Sequence, residues 1–379
     1  MRFPQDVPVL TDGRVTLRAH REDDLDGVLE QCLDPSTQRW TTVPVPYSRE
    51  DAVSFVDDMV PTGWVLGRWA FAVEVAGDDG RPRFCGTVEL RDEGDRRAEV
   101  AYGAHPWARG RGIMTDAVRL LLEWGFAEQR LRTVIWWAHT GNWASRRVAW
   151  RLGFSCEATL GQWLPQRGDL LDGWVGLLHV DDERVPRHPW LEVPTLETGR
   201  VVLRGHRDGD LDRIVEACDD PRTAHWFWRL PAPYTRSDAR SYLRGRGEQL
   251  ASGSGLSWAL ADPGDDRLLG TISLFDLKPG REAEIGYWAH PEARGRGLMT
   301  QACGLVLRHA FTAPAQGGLG LVRVMVTAAE DNIASRRVIE ANGFLRVGRE
   351  RRGLRLRDGS LVDTVTYDLL AEEYAAAGT

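Results

Sequence analysis

The chain has 379 residues, room for two ordinary domains, and its 42% hydrophobic and 27% charged residues are a globular mixture that excludes a disordered or fibrous polypeptide. A formal net charge of −7 argues against a phosphate-backbone footprint, so nucleic acid is not an expected partner. No run approaches the roughly 18 apolar residues of a membrane span and the N-terminus has no signal-peptide core. Five scattered cysteines, Cys32, Cys85, Cys156, Cys218 and Cys303, without CxxC spacing predict reduced thiols in a cytoplasmic protein with no metal site.

Along the chain, Val15–Arg18 alternates apolar and polar residues, as a strand does. Leu25, Val28, Leu29 and Leu33 then recur at helical spacing, and Ser48-x-x-Asp51 has the form of a cap opening a second helix. Strand-like runs follow at 69–75, 84–90 and 99–104. A long helix is predicted from near Met114, a strand at 133–138 and a shorter helix after Asn142. The same succession then starts again. It runs from a strand at 201–204, a helix through Leu211, Ile214, Val215 and Cys218, and a cap at Thr235-x-x-Asp238. Strands at 258–260, 268–274 and 284–289 follow, then a helix from near Met299, a strand at 321–327 and a helix after Asn332. Strands that come first and then alternate with helices predict an α/β (α+β) fold with a mixed sheet in each half.

The recurrence is a duplication. AEVAYGAHPWARGRGIMTDAV from Ala98 returns as AEIGYWAHPEARGRGLMTQAC from Ala283, NWASRRVAWRLGF from Asn142 as NIASRRVIEANGF from Asn332, and RVTLRAHREDDLD from Arg14 as RVVLRGHRDGDLD from Arg200. Order and spacing agree in all three blocks. A period this long is a tandem pair of whole domains, not a solenoid. Charges and prolines around 183–194 read as a short linker, giving domains at 1–182 and 195–379.

Arg109-Gly110-Arg111-Gly112 and Arg294-Gly295-Arg296-Gly297 end a strand-plus-turn and open a helix. Glycines there let a ligand approach the backbone, and the first helical N–H groups, with the positive end of the helix dipole, suit a pyrophosphate. The arginines add charge at the rim. A Rossmann fingerprint fails, because Thr115 and Thr300 stand in place of its third glycine. A plain glycine-containing helix start is the alternative for one copy alone; two copies in the same context favour phosphate binding.

With these residues the sequence resembles a GNAT-type N-acetyltransferase, twice over. Arg109 to Met114 and Arg294 to Met299 match that superfamily's R/Q-x-x-G-x-G/A motif except at the last position, where methionine replaces a small residue. Asn142, Ser145, Gly153 and Phe154, with Asn332, Ser335, Gly343 and Phe344, match its second cofactor-side helix. The L-R-x-x-x-x-x-D openings from Leu17 and Leu203 and the closing Asp358-Gly359, Asp363 and Tyr367 resemble the RimJ/RimL branch, which acetylates protein N-termini.

The resemblance implies two GNAT-like domains, each a mixed, splayed sheet flanked by helices, with acetyl-CoA between the fourth and fifth strands. Its pantetheine would pair with the backbone of Tyr102, Gly103 and Ala104, or of Tyr287, Trp288 and Ala289. Its pyrophosphate would sit over Arg109, Gly110, Arg111, Gly112, Ile113, Met114 and Thr115, or over Arg294, Gly295, Arg296, Gly297, Leu298, Met299 and Thr300. Glu99 and Glu284 are candidate general bases for the acceptor amine, or else plain surface carboxylates. Many members carry a tyrosine seven residues after the asparagine; Ala149 and Ile339 stand there instead. Ser145 and Ser335 are then candidate proton donors to the departing thiolate, or only pack near the helix start. Asn142 and Asn332 bond the pantetheine or cap their helices. No metal is implied.

His105 and His290, each before a proline, read as structural. Arg349, Arg351, Arg352, Arg355 and Arg357 form a basic stripe late in the second copy, a solvated hairpin face or a lure for an anionic group. Of 16 tryptophans, eleven lie in the first copy and four in the second; the expectation for the set is extensive contact between the halves, against core filling or an aromatic acceptor pocket. The acceptor is expected to be an amine, on a small molecule or on a peptide or protein N-terminus, attacked by direct transfer in a ternary complex, with two acetyl-CoA sites whose acceptor pockets are not equivalent. Competing possibilities are non-catalytic acyl-CoA-binding halves and a longer acyl donor.

Overall fold

The computed structural model describes residues 7–77 and 80–377, and the chain divides into two compact units, Met1–Arg187 and His188–Thr379. In the first, β1 (Leu10–Thr11) and β2 (Val15–Arg18) lead into α1 (Leu25–Leu33), α2 (Pro35–Trp40), α3 (Arg49–Ser54) and α4 (Val60–Val65). There follow β3 (Arg68–Ala76), β4 (Pro82–Asp92), β5 (Arg97–Ala104), α5 (Ile113–Ala127), β6 (Thr133–His139), α6 (Trp143–Arg151), β7 (Ala158–Gln166) and β8 (Asp169–His179). The second unit repeats the series with β9 (Leu196–Thr198), β10 (Val201–Arg204), α7 (Leu211–Asp219), α8 (Pro221–Trp226), α9 (Arg236–Ser252), β11 (Leu256–Ala261), β12 (Leu268–Lys278) and β13 (Glu282–Ala289). It closes with α10 (Leu298–Phe311), β14 (Arg323–Ala329), α11 (Ile333–Ala341), β15 (Leu345–Arg355), β16 (Leu361–Leu370) and α12 (Ala371–Ala377).

Each unit holds one eight-stranded mixed sheet, ordered β1-β2-β3-β4-β5-β6-β8-β7 and, from the opposite edge, β9-β10-β11-β12-β13-β14-β16-β15. All neighbours are antiparallel except β5 with β6 and β13 with β14. Those two parallel pairs fix the site. The ladder between β5 and β6 runs from Arg97↔Thr133 only to Val100↔Trp136, although β5 continues to Ala104 and β6 to His139. In the second unit it stops at Glu284↔Met325. Beyond those points the two strands no longer pair, so along 101–104 and 286–289 the edges that faced β6 and β14 have no strand partner among the described residues.

Helices cover both faces. The larger core of the first unit packs β2 to β6 against α5 through Val100, Ile113, Val118, Leu121, Trp136 and Trp174, and the second unit matches it with Ile285, Leu298, Val306, Val324 and Tyr367. Smaller cores lie under α1 and α3, with Leu25, Val28 and Phe84, and under α7 and α9, with Leu211, Ile214 and Tyr234. The tryptophans of the first unit are largely its own core: Trp64 and Trp69 both meet Trp124, and Trp174 meets Trp136 and Trp143.

Both capping boxes form, Ser48 with Asp51 and Thr235 with Asp238. The helices they open differ. α9 is continuous to Gly253, whereas its counterpart is broken into α3 and α4 by a π-helical turn at Phe55–Met59. Pro61, just beyond that turn, has no N–H to continue the ladder and its ring crowds the carbonyl one turn back; the wider turn absorbs it. Residues 183–187 pack on the first unit, where Arg187 Nε donates to the Gly153 carbonyl at 2.6 Å. The next few belong to the second, where the Leu191 N–H donates to the Leu250 carbonyl and Trp258 Nε1 to the Pro194 carbonyl.

Candidate functional site

The glycine-arginine turn is built the same way in each half. A single 3₁₀ turn at Pro106–Ala108 or Pro291–Ala293 is capped by the ring of His105 or His290, which accepts the N–H of Trp107 or Glu292. The outer ring nitrogens face Glu30 and Glu216 at 3.2 and 3.1 Å. These histidines hold the turn. Next, Gly110 and Gly112 take φ of +74° and +78°, Gly295 and Gly297 +71° and +73°. This left-handed backbone is cheap for glycine and swings the chain so that α5 and α10 start on Ile113 and Leu298. A Cβ built on Gly110, Gly295 or Gly297 would meet nothing within 4 Å, so the space beside these glycines is open.

The N–H groups of residues 110–114 and 295–299 donate to no backbone carbonyl among the described residues; the next intrahelical bonds begin with Thr115 N–H and Gln301 N–H. Thr115 is buried, yet its Oγ1 has no partner among the described residues. Free donors at a helix N-terminus beside open space, joined in the first half by an orphaned hydroxyl, are what a bound diphosphate would complete. Acetyl-CoA, the acyl donor expected from the sequence, fits this feature. Met114 and Met299, the departures from the motif, turn into the core.

The two arginines of each turn serve different ends. Arg109 Nη2 bonds Asp34 at 2.5 Å and Thr37 Oγ1 at 2.9 Å, and its Nε reaches the Ala104 carbonyl; Arg294 binds Asp220 and Thr223 likewise. Asp34 and Asp220 also cap α2 and α8. Burial pushes both carboxyls up, but the guanidinium and the cap N–H outweigh it and hold them below the usual range. Arg109 and Arg294 therefore tie the turn to α2 and α8. Arg111 and Arg296 form no ion pair among the described residues. Their carbonyls are braced by Arg14 Nη2 at 2.7 Å and Arg200 Nη2 at 3.2 Å.

Asn142 Oδ1 accepts the Ser145 N–H, and Asn332 Oδ1 that of Ser335, so both asparagines cap their helices. Ser145 Oγ donates to Tyr102 Oη at 3.0 Å and accepts from Trp136 Nε1; Tyr102 Oη in turn donates to the Ser145 carbonyl at 2.8 Å. In the other half Tyr287 Oη lies 3.1 Å from both the carbonyl and Oγ of Ser335. Tyr102 and Tyr287 thus reach the helix start through their hydroxyls, where the sequence assigned a role only to their backbones, as partners of the pantetheine. Burial pushes both phenols up.

Glu99 and Glu284 sit on the last paired residues of β5 and β13, or next to them, where the sheet opens. Burial raises both carboxyls. Opposite Glu99 stands Arg91, with Nη1 at 3.1 Å from its carboxylate; Arg91 also binds Glu89, which binds Arg68. Opposite Glu284 stands Phe275. Glu284 forms no ion pair among the described residues, and the like charge of Asp276 raises it further.

A buried pair on the same sheet escaped the sequence reading: His20 Nε2 lies 3.0 Å from Thr87 Oγ1, and His206 Nε2 3.1 Å from Thr271 Oγ1. The histidines recur in the duplicated block that starts at Arg14 and Arg200, but Thr87 and Thr271 lie outside the repeated blocks, so only one member of each pair was signalled. The arginines of the basic stripe are partly paired, Arg349 with Glu330 and Asp363, while Arg355 lies over Trp228 at 5.4 Å. Among the described residues there is no cluster of three or more His, Cys, Asp or Glu suited to a metal ion, and no helix is long and apolar enough to cross a membrane.

A sequence profile described as "Acetyltransferase (GNAT) domain" matches residues 14–155 and again 200–345. The "Putative ribosomal N-acetyltransferase YdaF" of Bacillus subtilis (strain 168) is 42% identical over 178 residues, 46% of this chain and 93% of that protein. The "Ribosomal-protein-serine acetyltransferase" of Escherichia coli (strain K12) is 35% identical over 85 residues, 22% of this chain and 45% of that one. Among solved structures, Mycobacterium smegmatis RimJ in complex with CoA-disulfide is 26% identical, with a TM-score of 0.42 over 50% of this chain and 97% of its own. Matched in both of its halves, the chain belongs to the GNAT acetyltransferase family and carries two such domains in tandem.

Proposed function

We propose that this N-acetyltransferase moves acetyl from acetyl-CoA to the α-amine of a protein or peptide N-terminus by direct attack in a ternary complex. The observation that carries the donor side is the duplicated turn, with left-handed glycines and unpaired N–H groups at a helix start. The acceptor class follows the B. subtilis relative, 42% identical across 93% of its length and named for ribosomal N-acetylation. The pyrophosphate rests on 109–115 or 294–300, and the pantetheine pairs with the freed edge at 102–104 or 287–289. As the amine nitrogen bonds to the thioester carbonyl carbon, its proton passes to a strand glutamate, Glu99 or Glu284, directly or through one water. Strand N–H groups steady the oxyanion. The C–S bond then breaks, and the thiolate takes a proton from Ser145 or Ser335, which water replaces. Asn142 and Asn332 hold these serines by capping their helices.

The test is mass-spectrometric acetylation of Ser- and Ala-initiated hexapeptides by the full chain. Acetylation confined to the α-amine, and reduced about 10²-fold or more in the double variant Glu99→Gln/Glu284→Gln, is expected. Turnover of small-molecule amines alone would overturn the peptide acceptor, and an undiminished rate in the double variant would overturn the glutamate base.

A further inference from the structure

Glu99 and Glu284 occupy the same place in their sheets but meet different neighbours. We infer that the two halves divide the reaction, with Glu284 the working base and Glu99 restrained by Arg91, which acts as a positioning residue that withholds the first half from proton abstraction. The inference rests on the proposed transfer with a strand glutamate as base.

The restraint is an alternating ladder of four charges on one sheet face. Arg68 Nε bonds Glu89 at 3.0 Å, Arg91 Nε bonds the other Glu89 oxygen at 2.9 Å, and Arg91 Nη1 bonds Glu99 at 3.1 Å. A carboxylate paired at this distance favours its charged form, and to take a proton it must give up the pair. Glu99 is also one of three acidic groups here: Glu89 and Glu93 raise it, while Arg91 and Arg68 pull it back.

The second half dismantles every rung. Cross-strand register puts Phe275 where Arg91 stands. The Glu89 position, opposite the second residue after the glutamate, holds Ser273, whose hydroxyl bonds Ser257 at 2.8 Å. The Phe275 ring lies over the strand two residues beyond Glu284, its Cε1 only 2.9 Å from where a Cβ on Gly286 would be. Glu284 is thus flanked by an aromatic ring and neighboured by Asp276, whose like charge raises it. Burial and like charge act in the same direction. A carboxylate so placed holds an abstracted proton better than one clamped by a guanidinium, and general-base efficiency rises as the base approaches the working pH.

The experiment uses the full chain with carboxyl-¹³C glutamate. Spectra of Glu99→Gln and Glu284→Gln identify the two resonances, which are then titrated in wild type, Arg91→Phe and Arg91→Gln. We expect Glu284 to titrate above Glu99, and both Arg91 variants to carry Glu99 upward. In acetylation of Ser- and Ala-initiated hexapeptides, Glu284→Gln should lower kcat about 10²-fold or more. Adding Arg91→Phe should restore about tenfold, with the acidic limb of the pH profile following the titration of Glu99. That gain should vanish on adding Glu99→Gln, while calorimetry shows acetyl-CoA still bound. Two carboxyls titrating together and indifferent to Arg91, or a Glu284→Gln enzyme keeping half the wild-type rate, would overturn the division while leaving the glutamate base intact. An undiminished rate in Glu99→Gln/Glu284→Gln would instead remove the base itself. Should neither peptide be acetylated, the titrations decide alone.

Discussion

His20 and His206 carry a cost that their positions make measurable. Burial pushes both rings down to about 4, so they stay neutral in the fold, each against a threonine hydroxyl. The unfolded chain returns them to the ordinary imidazole range near 6.5. Between those values the unfolded state binds more protons, so stability rises with pH across the window and is lost as pH falls from about 6.5 toward 4. Each ring contributes on the order of 3 kcal/mol over the whole window, most of it gone by about pH 5. We expect denaturant unfolding at about pH 7 and pH 5 to show this loss, and His20→Gln/His206→Gln, which keeps a partner for each threonine, to flatten that part of the curve. An unchanged slope would mean that the rings are already charged in the fold. The neighbouring L-R…D pattern has a different task. Arg18 grips Asp24 through two bonds of 2.7 and 2.8 Å, and Arg204 grips Asp210 through two of 2.9 Å, both pairs buried. They fasten the end of β2 and β10 to the start of α1 and α7.

The turn that opens α5 and α10 is the element on which the donor site depends. Gly297 is the sharper probe, because a methyl there meets nothing within 4 Å. Gly297→Ala should cost only about 1–2 kcal/mol for the left-handed backbone, yet place a Cβ at the open side where the diphosphate would lie. We expect acetyl-CoA affinity in that half to drop about tenfold or more, roughly 1.4 kcal/mol or more of binding, with the melting curve only modestly shifted. Unaltered affinity would remove the turn from the donor site. This element was legible in the chain because its determinants are contiguous: glycine positions, a helix start and a second copy for comparison. What ties it down was not. Asp34 and Arg109 are 75 residues apart; other contacts away from the turn are as distant, His20 with Thr87 67 apart and Tyr102 with Ser145 43 apart. Such contacts are set by how strands and helices stack, which local periodicity does not encode. The π-helical turn before Pro61 is a further case: the proline is visible, but whether the helix ends, kinks or widens is decided by packing.

At the scale of the molecule, the two copies agree at the glycine-arginine turns and differ around the strand glutamates. The turns, caps and histidine–threonine pairs recur almost residue for residue, whereas the carboxylate surroundings differ, and so do Trp137 and its counterpart Thr327. Trp137 stacks on Trp163 at 6.3 Å; Thr327 faces Thr366 at 3.4 Å. On the proposed function, donor recognition would rest on backbone geometry that few substitutions preserve and so would resist change, while side chains toward the acceptor would be tolerant surface positions. Every group bracing a turn comes from its own unit: Arg14, Asp34 and Thr37 in the first, Arg200, Asp220 and Thr223 in the second. If each turn holds a donor, as proposed, the two sites should therefore fill independently. Calorimetric titration of the full chain with acetyl-CoA should give a stoichiometry of two, and Gly297→Ala should weaken one of the two while sparing the other. A stoichiometry of one in the unmodified chain would mean that a half has kept the shape of the turn without its use; if Gly297→Ala then weakened the remaining binding, the second half would be the one in use and the first the one left empty.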